Sequence, residues 1–259
     1  MVDAIPVMGR RMLTDEFFPI RLLGASVVRA VPFTQPLSVR EMDLNRMAMV
    51  LSRNHSELDP FLRKIKRMYN SDHHLDFDLR YGGIRSVSNP LEFARMMERA
   101  GFLADLKTDA SRFAGVLADT AEARSFLSGG WLEQALRTDL ISLHPKFGAM
   151  NVHIVFFDGT RAELDALAVW ENRKFWFEAT TGDIAADLKK IAGFHQILGI
   201  PRENCLVVTT GWIPAPLQSR NVCGLRDLPA WMDERLPRYR LMRGLDWRDP
   251  NRLGNMRMQ

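Results

Sequence analysis

The chain of 259 residues predicts a mixed α/β protein in which helices cover a sheet. Three observations carry that expectation. Between about residues 120 and 210 the period of the apolar pattern changes in the order helix, strand, strand, strand, helix, strand. Two turn signals, Asp158-Gly159 and Glu171-Asn172, lie close enough between the three strands to make an antiparallel meander. A helix-length segment separates the third strand from the fourth, which demands a crossover and therefore a parallel pairing.

The elements follow in order. Residues 1–36 read as irregular, with short strands at Ile20–Leu23 and Ser26–Val31 punctuated by Pro19, Pro32 and Pro36. From Ser38 to about Tyr69 the apolar residues Leu44, Met47, Leu51, Leu58, Phe61, Leu62, Ile65 and Met68 recur at three- and four-residue steps. They predict helix with a break near Asn54. Residues 70–88 read as a polar loop, and Asn89-Pro90 opens a short helix that Gly101 closes. A helix runs from about Thr120 to Ser142. Inside it, Gly129-Gly130 predicts a break or a close approach of helix to sheet. The strands are Val152–Phe157, Leu164–Trp170, Lys174–Thr180 and, after a helix from Asp183 to about Leu198, Cys205–Thr209. A short helix near Pro229–Leu236 precedes an arginine-rich tail. The expected division is a mainly helical accessory region over residues 1–114, an α/β domain over 115–215 and a basic extension over 216–259.

Composition narrows the classes. A hydrophobic fraction of 46% and a charged fraction of 25% are those of an ordinary globular protein. A net charge of +4 is compatible with a polyanionic partner without requiring one. The only two cysteines, Cys205 and Cys223, form neither a metal-ligand spacing nor a disulfide framework. The opening residues carry no signal-peptide pattern, and no apolar run nears the roughly 20 residues that span a bilayer. A cytoplasmic protein without a membrane partner is the expectation.

The chemistry concentrates between Glu163 and Gly182. On the third strand side chains alternate, so Lys174, Trp176, Glu178 and Thr180 share one face. A two-residue turn at Glu171-Asn172 sets a register that brings Asp165 beside Glu178 at one end of the sheet. Glu133, on the preceding helix, can add a third carboxylate there. Like charges so placed repel unless a cation or a proton lies between them. Oxygen ligands of this kind suit Mg²⁺ or Mn²⁺, with substrate phosphate completing the shell. A salt bridge from either acid to an arginine is the plainer alternative.

Glu133 within Phe126-Leu-Ser-Gly-Gly-Trp-Leu-Glu133, Asp165 within Glu163-Leu-Asp165, and Glu178 before Thr181-Gly182 resemble the nuclease domain of type III CRISPR ancillary nucleases, enzymes activated by cyclic oligoadenylate. The resemblance covers roughly residues 100–210. It implies a PD-(D/E)xK, restriction-endonuclease-like fold with an α-β-β-β-α-β core. It also implies metal-dependent cleavage of DNA or RNA, with Glu133, Asp165 and Glu178 as metal ligands. Two departures stand out. The family's catalytic lysine falls two residues after the last ligand, where this chain has Thr180; a hydroxyl cannot replace an ammonium in activating water or stabilising the scissile phosphate. Lys189 or Lys190 on the following helix could supply that charge from another backbone position, whereas Lys174 lies ~13 Å along the strand. Second, residues 1–100 show no glycine-rich phosphate loop and no regular strand–helix alternation, so the CARF sensor domain of those relatives and its cyclic-oligoadenylate binding are not carried over. The rival reading is a catalytically degenerate nuclease fold that binds nucleic acid or assembles a complex. By analogy the expected assembly is a homodimer or a subunit of a larger defence complex.

Other features weigh less. His73-His74 beside Asp72, Asp76 and Asp78 offers metal-ligand types, but the polar context reads as an exposed loop. His195 continues the apolar face of its helix, while Gln196 could face the carboxylates. Ser128 and Ser142 have no histidine at a recognisable spacing. Arginines from Arg235 to Arg257, interleaved with Tyr239 and Trp247, suit phosphate contact with base stacking, though Glu234, Asp246 and Asp249 dilute them. The fourteen methionines read as core or interface filler.

Overall fold

Six strands form the main sheet of the computed structural model, which describes residues 20–79, 88–109, 111–210, 213–218 and 221–236. The first, β1 (Ala25–Pro32), is an edge strand and leads through Pro36 into the helix α1 (Val39–Arg53). Ser38 starts that helix with a capping box. Its hydroxyl accepts from the Glu41 N–H at 3.2 Å, and the Glu41 carboxylate accepts from the Ser38 N–H at 2.7 Å. The expected break at Asn54 separates α1 from α2 (His55–Met68).

Residues read from sequence as loop or left without an element form a second sheet. β2 (His74–Asp78), the helix α3 (Ser88–Arg99), β3 (Leu103–Thr108) and β4 (Arg112–Leu117) follow one another. The three strands pair antiparallel in the order β2-β4-β3. Among the described residues, the region expected over 1–114 to be mainly helical is therefore corrected to a mixed α/β one. The reason is visible in β2. Leu75 and Phe77 point into the core, while His74 and Asp76 stay outside, a two-residue alternation whose charged half disguises a half-buried strand as a loop. Phe61 meets Phe77 and Phe113 nearly edge to face there, and those two rings lie tilted to one another, with centroids 5.0–5.4 Å apart.

The core follows in the expected order. α4 (Ala121–Ser125) begins on Thr120, whose hydroxyl accepts from the Ala123 N–H. An irregular turn over Phe126–Gly130 then leads into α5 (Trp131–Ser142). Both readings of the glycine pair hold. The helix breaks, and a Cβ on Gly129 would stand only 2.9 Å from the Thr181 hydroxyl, so glycine lets this turn lie against the end of the central strand. Then come β5 (Phe147–Phe156), β6 (Arg161–Trp170), β7 (Arg173–Ala179), α6 (Ile184–Phe194) and β8 (Cys205–Thr209). Sequence placed the start of β5 five residues late, because Phe147 and Gly148 resemble a loop. β6 and β7 are antiparallel through a turn at Glu171-Asn172, both with φ near +50° to +65° as the tight hairpin requires, and β7 runs parallel to β8. A short strand β9 (Val222–Gly224) and the helix α7 (Leu228–Arg235) complete the chain as described, giving the sheet order β1-β5-β6-β7-β8-β9.

Alternation along β7 divides the molecule into layers. Phe175 and Phe177 face α5, α1 and α7, where Trp170 and Trp231 meet them edge-on. Trp176 faces the layer of α6, with Leu167, Val207, Ile184 and Ile191. Each such buried aromatic contributes about 1.5–3 kcal/mol. Because β1 pairs with β5, and α1 and α5 share one continuous core, the N-terminal elements are built into the same layers as the sheet.

Candidate active site

β6 and β7 set the site. Continuing their register by one position beyond Ala166↔Phe177 places Asp165 opposite Glu178. The Ala179 N–H, just past Glu178, donates to Asp165 Oδ2 at 2.7 Å, so the second carboxylate is tied to the backbone beside the first. Glu178 is 2% exposed. Its two oxygens are held differently: Trp176 Nε1–H donates to Oε1 at 2.5 Å, and Lys190 Nζ donates to Oε2 at 2.7 Å. Glu133 arrives from the opposite layer on the first turn of α5, close enough for its charge to act on Asp165, Glu163 and Lys190.

Burial governs the electrostatics. It pushes Glu178 up to about 8, and the Asp165 carboxylate adds to the rise while Lys190 and Trp176 oppose it. Burial likewise pushes Glu133 up to about 7, with Asp165 and Glu163 adding repulsion. Asp165 is also raised by burial, against the Ala179 N–H and Lys190. The cluster is short of positive charge by its own groups alone.

Of the two candidate lysines, the structure brings in Lys190 and leaves Lys189 exposed on the outer face of α6. Lys190 reaches inward because Ile184 and Ile191 pin α6 onto the sheet and Asp183 caps it, accepting from the Ala185 and Ala186 N–H groups. Thr180 does not face an empty lysine position. Its hydroxyl bonds the Asp187 carboxylate and accepts from the Gly182 N–H, ordering the strand-to-helix turn. Lys174 Nζ donates instead to the Arg21 carbonyl. Gln196 is exposed rather than turned to the carboxylates, and His195 Nδ1 lies 3.2 Å from the Ile200 carbonyl as a packed side chain.

The polar stretch around His73-His74 is spoken for locally. Arg112 pairs with Asp76 at 2.7 Å, the His74 N–H donates to Asp72, and His73 lies by Tyr69 and Arg124. Among the described residues no three His, Cys, Asp or Glu side chains stand as a ready-made metal cluster. At Asp165 and Glu178 one reason is plain: their oxygens are engaged by the Ala179 N–H, Trp176 and Lys190. The donor set itself, carboxylate oxygens on adjacent strands, remains of the type Mg²⁺ or Mn²⁺ takes with water and phosphate. Sequence reading missed two contributors. Trp176 was legible as sharing the face of Glu178, but its role as donor was not; Asp187, one helical turn before Lys190, carried no sequence signal that set it apart. The arginines from Arg238 onward lie outside the described residues.

No protein-family model matches the sequence, and no curated protein is similar to it in sequence. Solved structures do share the fold. The protein VC1899 from Vibrio cholerae matches with a TM-score of 0.56 at 17% identity, over 84% of this chain and 59% of its own. Can2 from Sulfobacillus thermosulfidooxidans, solved in complex with cyclic tetra-adenylate, matches with a TM-score of 0.54 at 15% identity, over 74% of this chain and 56% of its own. The chain thus spans under three-fifths of the length of either. Among the described residues no helix is long and apolar enough to cross a membrane.

Proposed function

We propose that this chain is a metal-dependent nuclease whose core is of the restriction-endonuclease-like kind, with its catalytic lysine relocated from the strand to the helix. The observation that carries this reading is the 2.7 Å contact between Lys190 Nζ and Glu178 Oε2, made where the strand itself offers only Thr180. The order α5-β5-β6-β7-α6-β8, the opposition of Asp165 to Glu178 and the likeness of fold to Can2 support it.

In this reading Asp165 and Glu178, with Glu133, would hold Mg²⁺ or Mn²⁺. The donor set fits in chemistry, all three being carboxylates. When bound, the cation polarises the scissile phosphate and makes a bound water acidic. The remaining work falls to the chain. Lys190 presents an ammonium to the site, Trp176 fixes the rotamer of Glu178, and the Ala179 N–H orients Asp165. The substrate would be DNA or RNA, consistent with the basic balance of the sequence. A cytoplasmic setting and a defence complex, as dimer or subunit, belong to the same reading. Cyclic-oligoadenylate binding does not.

The test is incubation of the purified protein with plasmid, single-stranded DNA and RNA in Mg²⁺, Mn²⁺ or EDTA. Cleavage that needs a divalent cation and disappears in Asp165→Ala supports the nuclease. One observation favours the rival, non-catalytic reading: Lys190 already serves Glu178 as a counter-ion, which a purely structural role would also require. Binding without cleavage in every divalent metal would establish that rival.

A further inference from the structure

The parallel strands β7, β8 and β9 bring their carboxyl ends level at one edge of the sheet, where Ala179 stands opposite Val208 and Thr209 opposite Gly224. Open α/β sheets take their ligands at such an edge. A pocket opens there beyond β8 and β9, within two strand spacings, or ~10 Å, of the strand that carries Glu178. Its volume is about 130 Å³, close to the ~150 Å³ of a cavity that holds one benzene ring. Ser52 and His55 line it where α1 passes into α2, Thr210 just after β8, Arg226 and Asp227 in the turn between β9 and α7, and Trp131 at the start of α5.

His55 is stacked on Trp131, with ring centroids 5.6 Å apart and planes inclined by 25°. Trp131 is buried and His55 half-buried, so a further ring can join this pile only on the imidazole. The His55 ring nitrogens and the Ser52 and Thr210 hydroxyls make no hydrogen bond to other described residues, and none of these atoms is sealed from solvent. Burial, helped by Arg226 and opposed by Asp59, lowers His55 below its ordinary value, so near pH 7 the ring is neutral and offers one donor and one acceptor. The exposed Asp227 carboxylate also has no hydrogen-bond partner among the described residues, and its charge balances that of Arg226, which donates to the Arg53 carbonyl. A wall with cancelling charges suits neither a phosphate nor a metal ion. It suits an uncharged flat ring edged with donors and acceptors.

We propose that this pocket seats one base of the nucleic-acid strand, its ring lying on His55 and its edge meeting Ser52, Thr210 and Asp227, with sugar and phosphate left outside. The assignment rests on the nuclease reading above and adds how the strand is gripped beside the carboxylates. The space admits a pyrimidine whole, or the six-membered ring of a purine with the rest projecting toward solvent. A carboxylate only accepts, so Asp227 favours bases that carry an amino group over uracil. The first turn of α5 joins pocket and site. Trp131 and Glu133 stand two positions apart there, ~200° around the helix, so one helix end backs the base on one side and reaches the acids on the other. A span of ~10 Å is up to about three nucleotides at ~3.4 Å of axial rise each, which puts the gripped base within that distance of the scissile phosphate.

The experiment is titration with cytidine, guanosine, adenosine and uridine in EDTA, followed by saturation-transfer difference NMR, for wild type, His55→Ala and Asp227→Asn. In wild type the base protons should receive more saturation than the sugar protons, and uridine should bind most weakly. His55→Ala should weaken binding by about tenfold or more, the size that stacking of one base carries. Asp227→Asn should remove the disadvantage of uridine. Sequencing the ends of single-stranded DNA and RNA cut in Mn²⁺ completes the test, with a base preference expected within about three nucleotides of the cut and lost in His55→Ala. If the nucleosides do not bind wild type, or bind His55→Ala equally well, the base pocket is overturned, and the nuclease reading stands wherever cleavage is still seen. If they bind as expected and no divalent metal supports cleavage, the pocket stands and the nuclease reading falls. Should His55→Ala fail to fold, as a thermal melt would show, Asp227→Asn decides, since that side chain is exposed and makes no cap hydrogen bond. An unchanged order of the four nucleosides then overturns the assignment, and a levelled one supports it.

Discussion

Replacing Glu178 by glutamine should flatten the dependence of stability on pH. Glu178 is 2% exposed, and burial raises it from 4.5 to about 8. A carboxyl whose folded value lies above its unfolded one binds more protons in the folded state between those limits. Its contribution is therefore fully present below about pH 4.5 and is lost as pH climbs through about 8. One unit is worth about 1.4 kcal/mol, so a gap of this size, eased by relaxation of the site, amounts to on the order of 3 kcal/mol. Glutamine carries no such proton. It does set an NH₂ against either the Trp176 or the Lys190 donor, a mismatch of about 1–3 kcal/mol that is the same at every pH. The diagnostic is the slope, not the offset. Urea unfolding of both proteins in EDTA, from pH 5 to 8.5, should show wild type losing on the order of 3 kcal/mol more than Glu178→Gln. Parallel profiles would refute the claim that burial raises this carboxyl.

Other outcomes follow from the same geometry. Mn²⁺ should raise the Tm of wild type more at pH 8 than at pH 5.5, because the cation replaces protons that the raised Glu133 and Glu178 otherwise hold; a differential scanning measurement at equal ionic strength checks it. Lys190→Met should cut any divalent-dependent cleavage by about 10²–10⁴, and Thr180→Lys in that background should restore part of it, since position 180 shares the face of Glu178; undiminished cleavage by Lys190→Met in a gel assay would refute the relocation. Gly129→Ala should cost about 1–3 kcal/mol in chemical denaturation, because its Cβ meets the Thr181 hydroxyl at 2.9 Å. Adding Thr181→Ala should recover part of the loss.

Much of the core was legible because its signals are local. The Glu171-Asn172 turn fixed the β6–β7 register, the helix before β8 fixed the parallel pairing, and Cys205–Thr209 is apolar at nearly every position, as a strand buried on both faces should be. The opposition of Asp165 and Glu178 follows from that register by counting. What was not legible depends on long-range packing. β2, β3 and β4 are short and carry charges on their outer halves, so only their pairing with one another reveals them. Lys189 and Lys190 are neighbours in sequence, and nothing local says which turns inward; the docking of Ile184 and Ile191 decides it. Arg137 looks like any helix-surface arginine until the β1–α1 connection closes over it.

The placement of Lys190 on α6 rather than on β7 separates two properties that a strand lysine would join. β7 lies inside the sheet, bonded on both sides by β6 and β8, and cannot shift without tearing both ladders. Among the described residues, α6 rests on the sheet through side chains such as Ile184 and Ile191. A ligand or neighbour that tilted this one helix would carry the ammonium away from Glu178 and leave the acids standing where they are. The cationic half of the pair is, by construction, the detachable one.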